Sequence, residues 1–314
     1  MKPSLGLILF ALLAGCPARG DDELSTTADA APASTTGLPS CGTSDPVTLD
    51  DLRVESCDIA GLDAASITEL AVAADGSLYI LYGSNVHHFI PSGTGCSFTR
   101  DNAMQPWLGM ASVEATGDGR VYASTRLSNL SSVGWAGAAS GQCSSPTAYR
   151  TPIGVASDGT IVFAPATGPG LVVVDTATCS ETKLPIAADE TPRVFGRIGT
   201  DVVWGGPVGI GVGRAALDGT IRYALTDHAF GGDGKATLEP LGSRIASWAL
   251  GYLFSVDAET GAALPSIKYD QFTTAITRDA ADSAVFDAAP DGKTAFVIAR
   301  DAAPCVALYK ITAN

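Results

Sequence analysis

The stretch "ADGSLYIL" (residues 74–81) sets an Asp-Gly pair directly before a short run of β-prone apolar residues, and the chain repeats the arrangement. The same turn-then-strand text returns as "GDGRVYAS" (117–124), "SDGTIVFA" (157–164), "IGTDVVWG" (198–205), "LGSRIASW" (241–248) and "PDGKTAFVI" (290–298). Its glycines are Gly76, Gly119, Gly159, Gly199, Gly242 and Gly292, one about every 40 to 50 residues. Glycine suits a tight hairpin because it takes positive φ without a Cβ clash.

Each anchor has similar surroundings. An apolar strand precedes it, as at residues 67–72, 109–113, 194–198 and 284–288. A second turn follows about 15 to 19 residues later, as in "IPSGTGC", "VDTATC", "LDGT" and "VDAETG". Four short strands per unit of about 40 to 50 residues is the arithmetic of a β-propeller blade. The expected fold is therefore all-β, a six-bladed β-propeller of four-stranded antiparallel blades, with seven blades as the alternative.

The last unit, ending "CVALYKITAN", supplies a third strand and no fourth, while "VTLDDLRVES" (47–56) precedes the first unit and belongs to none. Residues 47–56 are expected to close the ring by lying alongside residues 306–311, which pairs an otherwise open edge. The turn and strand text resembles the quinoprotein-like, NHL-like and TolB-like propeller repeats over about residues 47–314. The resemblance implies a fold and no particular chemistry.

The start of the chain reads differently. Lys2 and the apolar run 5–13 have the form of an export signal, too short for the roughly 20 residues of a membrane-spanning helix. Leu13-Ala14-Gly15-Cys16 resembles the lipobox of bacterial lipoproteins. The resemblance implies removal of residues 1–15, acylation of Cys16 with diacylglycerol and an amide-linked chain such as palmitate, and a membrane anchor. Pro17 stands where an aspartate would mark inner-membrane retention, so the expected location is the outer membrane, on its periplasmic or cell-surface face. Each buried acyl methylene adds about 0.8 kcal/mol, and stable anchoring needs more than one chain. Residues 16–46 are rich in Ala, Ser, Thr, Pro and Asp and cannot build a core, so they read as a flexible tether.

A net charge of −14, from 19 basic and 33 acidic residues, offers no basic stripe and argues against a nucleic-acid partner. Beyond Cys16, six cysteines remain, an even number that suits disulfides in an oxidising compartment. Six allow 15 pairings. Placing them on the ring favours Cys57 with Cys305, Cys41 with Cys96, and Cys143 with Cys179; their spacing does not suit a zinc site.

Catalytic motifs are sparse: the chain has neither H-E-x-x-H nor G-x-S-x-G, and "GGDGKAT" fails the phosphate-loop pattern. Adjacent His87 and His88 on a strand must face opposite sides of the sheet, so they cannot clamp one ion. No cofactor is required by the sequence, and Ca²⁺ is the one cation considered, at the loop of Asp227, His228 and Asp233. By analogy with other propellers, the ligand rim would carry Trp107, Arg126, Arg193, Asp227, His228, Asp233 and Tyr269.

The first expectation for function is a lipid-anchored envelope module, without catalysis, that binds a protein, a small molecule or a glycan. The alternatives are a subunit of an outer-membrane protein assembly machine and a propeller enzyme of lactonase or lyase type. Carboxylates converging at the channel would mark the enzyme, and an apolar rim patch would mark a protein partner.

Overall fold

The computed structural model describes residues 41, 45–62, 67–93, 95–103, 107–117, 119–127, 130–136, 141–145, 154–155, 160–163, 170–184, 194–205, 212–224, 237–272, 277–300 and 305–314. The signal segment, Cys16 and the tether up to residue 40 lie outside them.

The protein is a β-propeller whose described strands group into six quartets, two of them merged in one ten-stranded sheet. The inner strands of successive quartets are Ile67–Val72, Ser112–Ala115, Gly154–Val155, Val194–Ile198, Glu239–Leu241 and Val285–Ala288. Each packs beside the next, and Val285–Ala288 returns to Ile67–Val72, so the succession is circular. The second inner strand begins at Ser112 rather than at residue 109. The hairpin reading holds at the described anchors, since Gly76, Gly119, Gly199, Gly242 and Gly292 all have positive φ.

Burial follows from stacking sheet on sheet. A middle strand has a neighbouring quartet on each face, so alternation gives way to continuous apolar text. Asp201–Gly205 and Arg244–Ala249 are buried at every position. The core is correspondingly divided into slabs between quartets; Leu70, Val72, Leu78, Ile80, Phe89, Phe296, Ile298 and Leu308, for instance, form the slab between the first and sixth. Between the fourth and fifth, the inner strands approach so closely that a Cβ on Gly196 would stand 1.7 Å from the Leu238 carbonyl oxygen. Only glycine fits there.

Closure differs in part from the sequence expectation. Leu52–Ala60 is the closing strand, antiparallel to the last strand over Leu52↔Ala313 to Cys57↔Leu308. Residues 47–49 do not reach that strand; they fold back as a hairpin, Val47↔Val54 to Leu49↔Leu52. Beyond Cys57 the closing strand changes partner, and Asp58–Ala60 runs parallel to Ser97–Thr99 of the first quartet. One strand thus bridges the ring's first and last quartets. Arg244, buried in the fifth quartet, holds the turn of the closing hairpin through Asp51 and, at 3.8 Å, Asp50.

Two of the three disulfides correct the expected pairing. Cys41 is bonded to Cys305 and Cys57 to Cys96, in place of Cys57–Cys305 and Cys41–Cys96, while Cys143–Cys179 forms. The change of partner at Cys57 explains the difference. In register Cys57 faces Leu308, beyond reach of Cys305, and its neighbour Asp58 already donates to the Cys96 carbonyl at 3.0 Å. Cys41 donates its backbone N–H to the Val306 carbonyl, so the chain is fastened to the last quartet before residue 47. The two seam disulfides therefore hold one side of the closure each.

Replacing Cys57 and Cys96 together by serine, or Cys41 and Cys305 together, is expected to cost about 2–5 kcal/mol of stability. Equilibrium urea unfolding of each pair measures this as a lowered midpoint, with refolded wild type as reference.

Candidate functional site

Inner strands leave one edge unpaired toward the axis, and buried backbone N–H groups on that edge need acceptors. Side-chain carboxylates supply them here. Asp287 Oδ2, from the sixth quartet, accepts from Val72 N of the first at 2.5 Å. Glu69 of the first quartet accepts from Ser112 Oγ at 2.6 Å and from Val113 N at 3.1 Å, both in the second. Glu114 Oε1 accepts from Ala115 N at 3.1 Å, and Thr237 Oγ1 donates to the Phe286 carbonyl at 3.2 Å. Neighbouring inner strands are thus stapled by acidic side chains.

Glu69, Glu114, Glu239 and Asp287 all stand on inner strands, and all four are buried. One carboxylate oxygen each of Glu114, Glu239 and Asp287 lie within 4.8 Å of one another. Asp287 Oδ1 is buried and has no hydrogen-bond partner among the described residues. None of the four carboxylates has an ion pair there either, in contrast to buried Asp201, which meets Arg214 Nε at 2.8 Å and Arg222 Nε at 3.4 Å.

Burying carboxylates without cations favours their protonated forms. Burial, opposed by the bonds from Ser112 and Val113, pushes Glu69 up to about 8. Burial pushes Glu239 up to about 7. Glu114 is raised well above the carboxylate range by burial and then by the charges of Asp287 and Glu239; Asp287 is raised likewise, by burial and then by Glu239.

The donor set fits a hard divalent cation. Oxygens on opposite sides of Ca²⁺ stand about 4.6–5.2 Å apart, and those around Mg²⁺ at most about 4.2 Å, so a group within 4.8 Å accommodates Ca²⁺ with little adjustment. Asp287 Oδ1 is the atom such an ion would satisfy.

A cavity of about 580 Å³ lies between the fifth, sixth and first quartets. Glu69, Thr237, Trp248, Leu250, Phe286 and Asp282 are among its walls. Trp248 is oriented by donation from Nε1 to the Ala281 carbonyl at 2.8 Å, and Leu250 is largely exposed at the lip. The connection from the fifth to the sixth quartet forms part of the wall through the short helix Arg278–Asp282, capped by Thr277.

The rim expected from sequence is seen only in part. Tyr269 donates its backbone N–H to the Gly251 carbonyl, near the cavity lip, and its ring lies 5.4 Å from Lys268 Nζ. Trp107 pairs with Val86 and Arg126 with Ser131 as strand residues, and their side chains lie outside the description. Arg193, Asp227, His228 and Asp233 lie outside the described residues. His87 and His88 do face opposite sides: His87 stacks on Tyr82, and His88 stacks on Tyr79 with Nδ1 3.0 Å from Asp101 Oδ2.

Sequence reasoning missed all four axial carboxylates. A signal was present: Glu114 and Asp287 both stand five positions before their turn glycines, in the otherwise apolar strands "SVEA" and "VFDA".

No protein-family model matches the sequence, and no curated protein matches it. Solved structures do. A gluconolactonase from Xanthomonas campestris, XC5397, is similar with a TM-score of 0.57 and 14% identity, over 88% of this chain and 97% of that one. U3-55K is similar with a TM-score of 0.50 and 10% identity, over 84% and 89%. The β-propeller domain of Myceliophteria thermophila Cps50 (Swd1) has a TM-score of 0.45 and 12% identity, over 85% and 98%. At such identities the likeness is one of fold.

The raised carboxyls give a pH dependence with a definite sign. With chelator present, the stability contributed by protonated Glu69 and Glu239 is complete below the unfolded-state value of 4.5 and is lost as pH rises through about 7 to 8. The melting temperature in EDTA is expected to fall over that window, and Ca²⁺ is expected to raise it more at pH 8 than at pH 5. Calorimetric scans across pH check both.

Proposed function

We propose that this protein is an exported lipoprotein whose propeller holds a divalent cation among Glu114, Glu239 and Asp287 and acts on an uncharged ester or lactone. The observation that carries the reading is the convergence of these three buried carboxylates, with Asp287 Oδ1 lacking a hydrogen-bond partner among the described residues. Protein interiors do not hold such groups together without a counter-charge unless they are protonated. Edge-capping alone accounts for Asp287 Oδ2 and for Glu69, and leaves Asp287 Oδ1 unexplained.

A divalent cation at this place would polarise the carbonyl of an ester. The chain's own contribution is positional. Val72 N fixes Asp287 and Ala115 N fixes Glu114, and Trp248, Leu250 and Phe286 give the neighbouring cavity apolar walls. Lactone hydrolysis is the reaction to try first, because a gluconolactonase is among the proteins that share the fold. This reading takes the enzyme alternative over the non-catalytic binding module and the assembly subunit.

Attachment to the membrane is assigned to acylated Cys16, with the outer membrane as location. Its support is the Leu13-Ala14-Gly15-Cys16 text, together with three disulfides, which persist in oxidising compartments. No helix among the described residues is long and apolar enough to cross a membrane.

Two experiments test the reading. Isothermal titration of chelator-treated protein is expected to show about one bound Ca²⁺ and proton release on binding. Glucono-δ-lactone hydrolysis is expected to stop in EDTA and return with Ca²⁺, with Asp287→Asn and Glu239→Gln each binding Ca²⁺ at least about 100-fold more weakly. Protein that binds no cation and ignores EDTA contradicts the reading. Separately, Cys16→Ser is expected to move the protein from the membrane to the soluble fraction and to abolish palmitate labelling.

A further inference from the structure

The four axial carboxylates are not equivalent. Glu114, Glu239 and Asp287 form the close group, and none of them lines the cavity. Glu69 lies outside that close group and does line the cavity.

Glu69 is also held in a different way. Each of its oxygens accepts one bond from the second quartet, from Ser112 Oγ and from Val113 N, so the carboxyl plane is set by two fixed donors. A carboxyl group has about four hydrogen-bonding positions, and two are left over. A side chain held this firmly at a cavity wall is preorganised for contact with whatever enters. Ser112 is fully buried, so its hydroxyl serves Glu69 rather than a ligand.

We propose that Glu69 is the specificity-determining residue of the cavity, contacting the hydroxyl groups of the bound molecule while standing outside the cation's ligand set. This rests on the cation-dependent reading above and divides its site in two. The cation position is built from the second, fifth and sixth quartets, and the recognition position from Glu69 of the first, braced by Ser112. A site built to bond a substrate hydroxyl discriminates strongly against an analogue lacking it, because the protein group then stays buried and unpaired.

The test compares two lactones and one ion. Glucono-δ-lactone carries ring hydroxyls and δ-valerolactone carries none. In Glu69→Leu, the ratio of kcat/KM for glucono-δ-lactone to that for δ-valerolactone is expected to fall about 10- to 100-fold, the loss of one strong hydrogen bond. Ca²⁺ affinity, measured by titration, is expected to stay within about threefold of wild type, far from the effect of losing a ligand. Glu69→Gln, whose amide oxygen can accept from Val113 N while its NH2 donates to the Ser112 hydroxyl, gives the same Ca²⁺ result if the leucine variant fails to fold.

A Ca²⁺ affinity lost in Glu69→Gln as in Asp287→Asn overturns the proposal, because Glu69 is then a ligand. An equal fall for both lactones also overturns it, because the residue is then merely structural. Wild-type protein that binds no Ca²⁺, or hydrolyses neither lactone, removes the cation-dependent reading and this proposal with it. The two failures are distinct, since one is read in the variants and the other in wild type.

Discussion

Inner strands meeting around an axis create a shortage of hydrogen-bond acceptors. Each gives one edge to its own quartet and turns the other toward the centre, where no further strand can pair with it. The protein meets this shortage with acidic side chains: Asp287 reaches from the sixth quartet to Val72 of the first, and Glu69 from the first to Ser112 and Val113 of the second. The same bonds that join neighbouring quartets gather negative groups at the middle. Structure and chemistry are coupled at that point, because what secures the ring also concentrates carboxylates.

Closure is the second constraint, and it is met asymmetrically. The strand Leu52–Ala60 lies antiparallel to the end of the chain and then parallel to Ser97–Thr99, so one element pairs two edges. Cys57–Cys96 fastens it to the first quartet, and Cys41–Cys305 fastens the segment before it to the last. Arg244 adds a tie from the fifth quartet to Asp51. The axial carboxylates stand on inner strands, at the opposite end of these quartets from the outer-strand seam.

Much of the fold was legible because its signals are local. A hairpin needs a residue tolerant of positive φ, and the glycines at 76, 119, 199, 242 and 292 announce it within a few residues. The final quartet's missing strand could be found by counting. The disulfide partners of Cys57 and Cys41 could not, because they depend on where one strand changes neighbours, a register that composition does not encode. The candidate site was hidden for a related reason. Glu114 or Asp287 alone reads as a stray acid in an apolar strand, and only closure of the ring brings residues 173 positions apart to one point. The rim residues chosen from sequence were aromatic, basic or loop-borne side chains, whereas the chemistry converges on strands.

The account's central claim is that a divalent cation belongs between Glu114, Glu239 and Asp287. Anomalous scattering from a crystal grown with Mn²⁺ tests it most directly. The account predicts one strong peak within bonding distance of all three carboxylates, with Asp287 Oδ1 among its ligands. An axis without a peak, its four carboxyls hydrogen-bonded to one another, would contradict it.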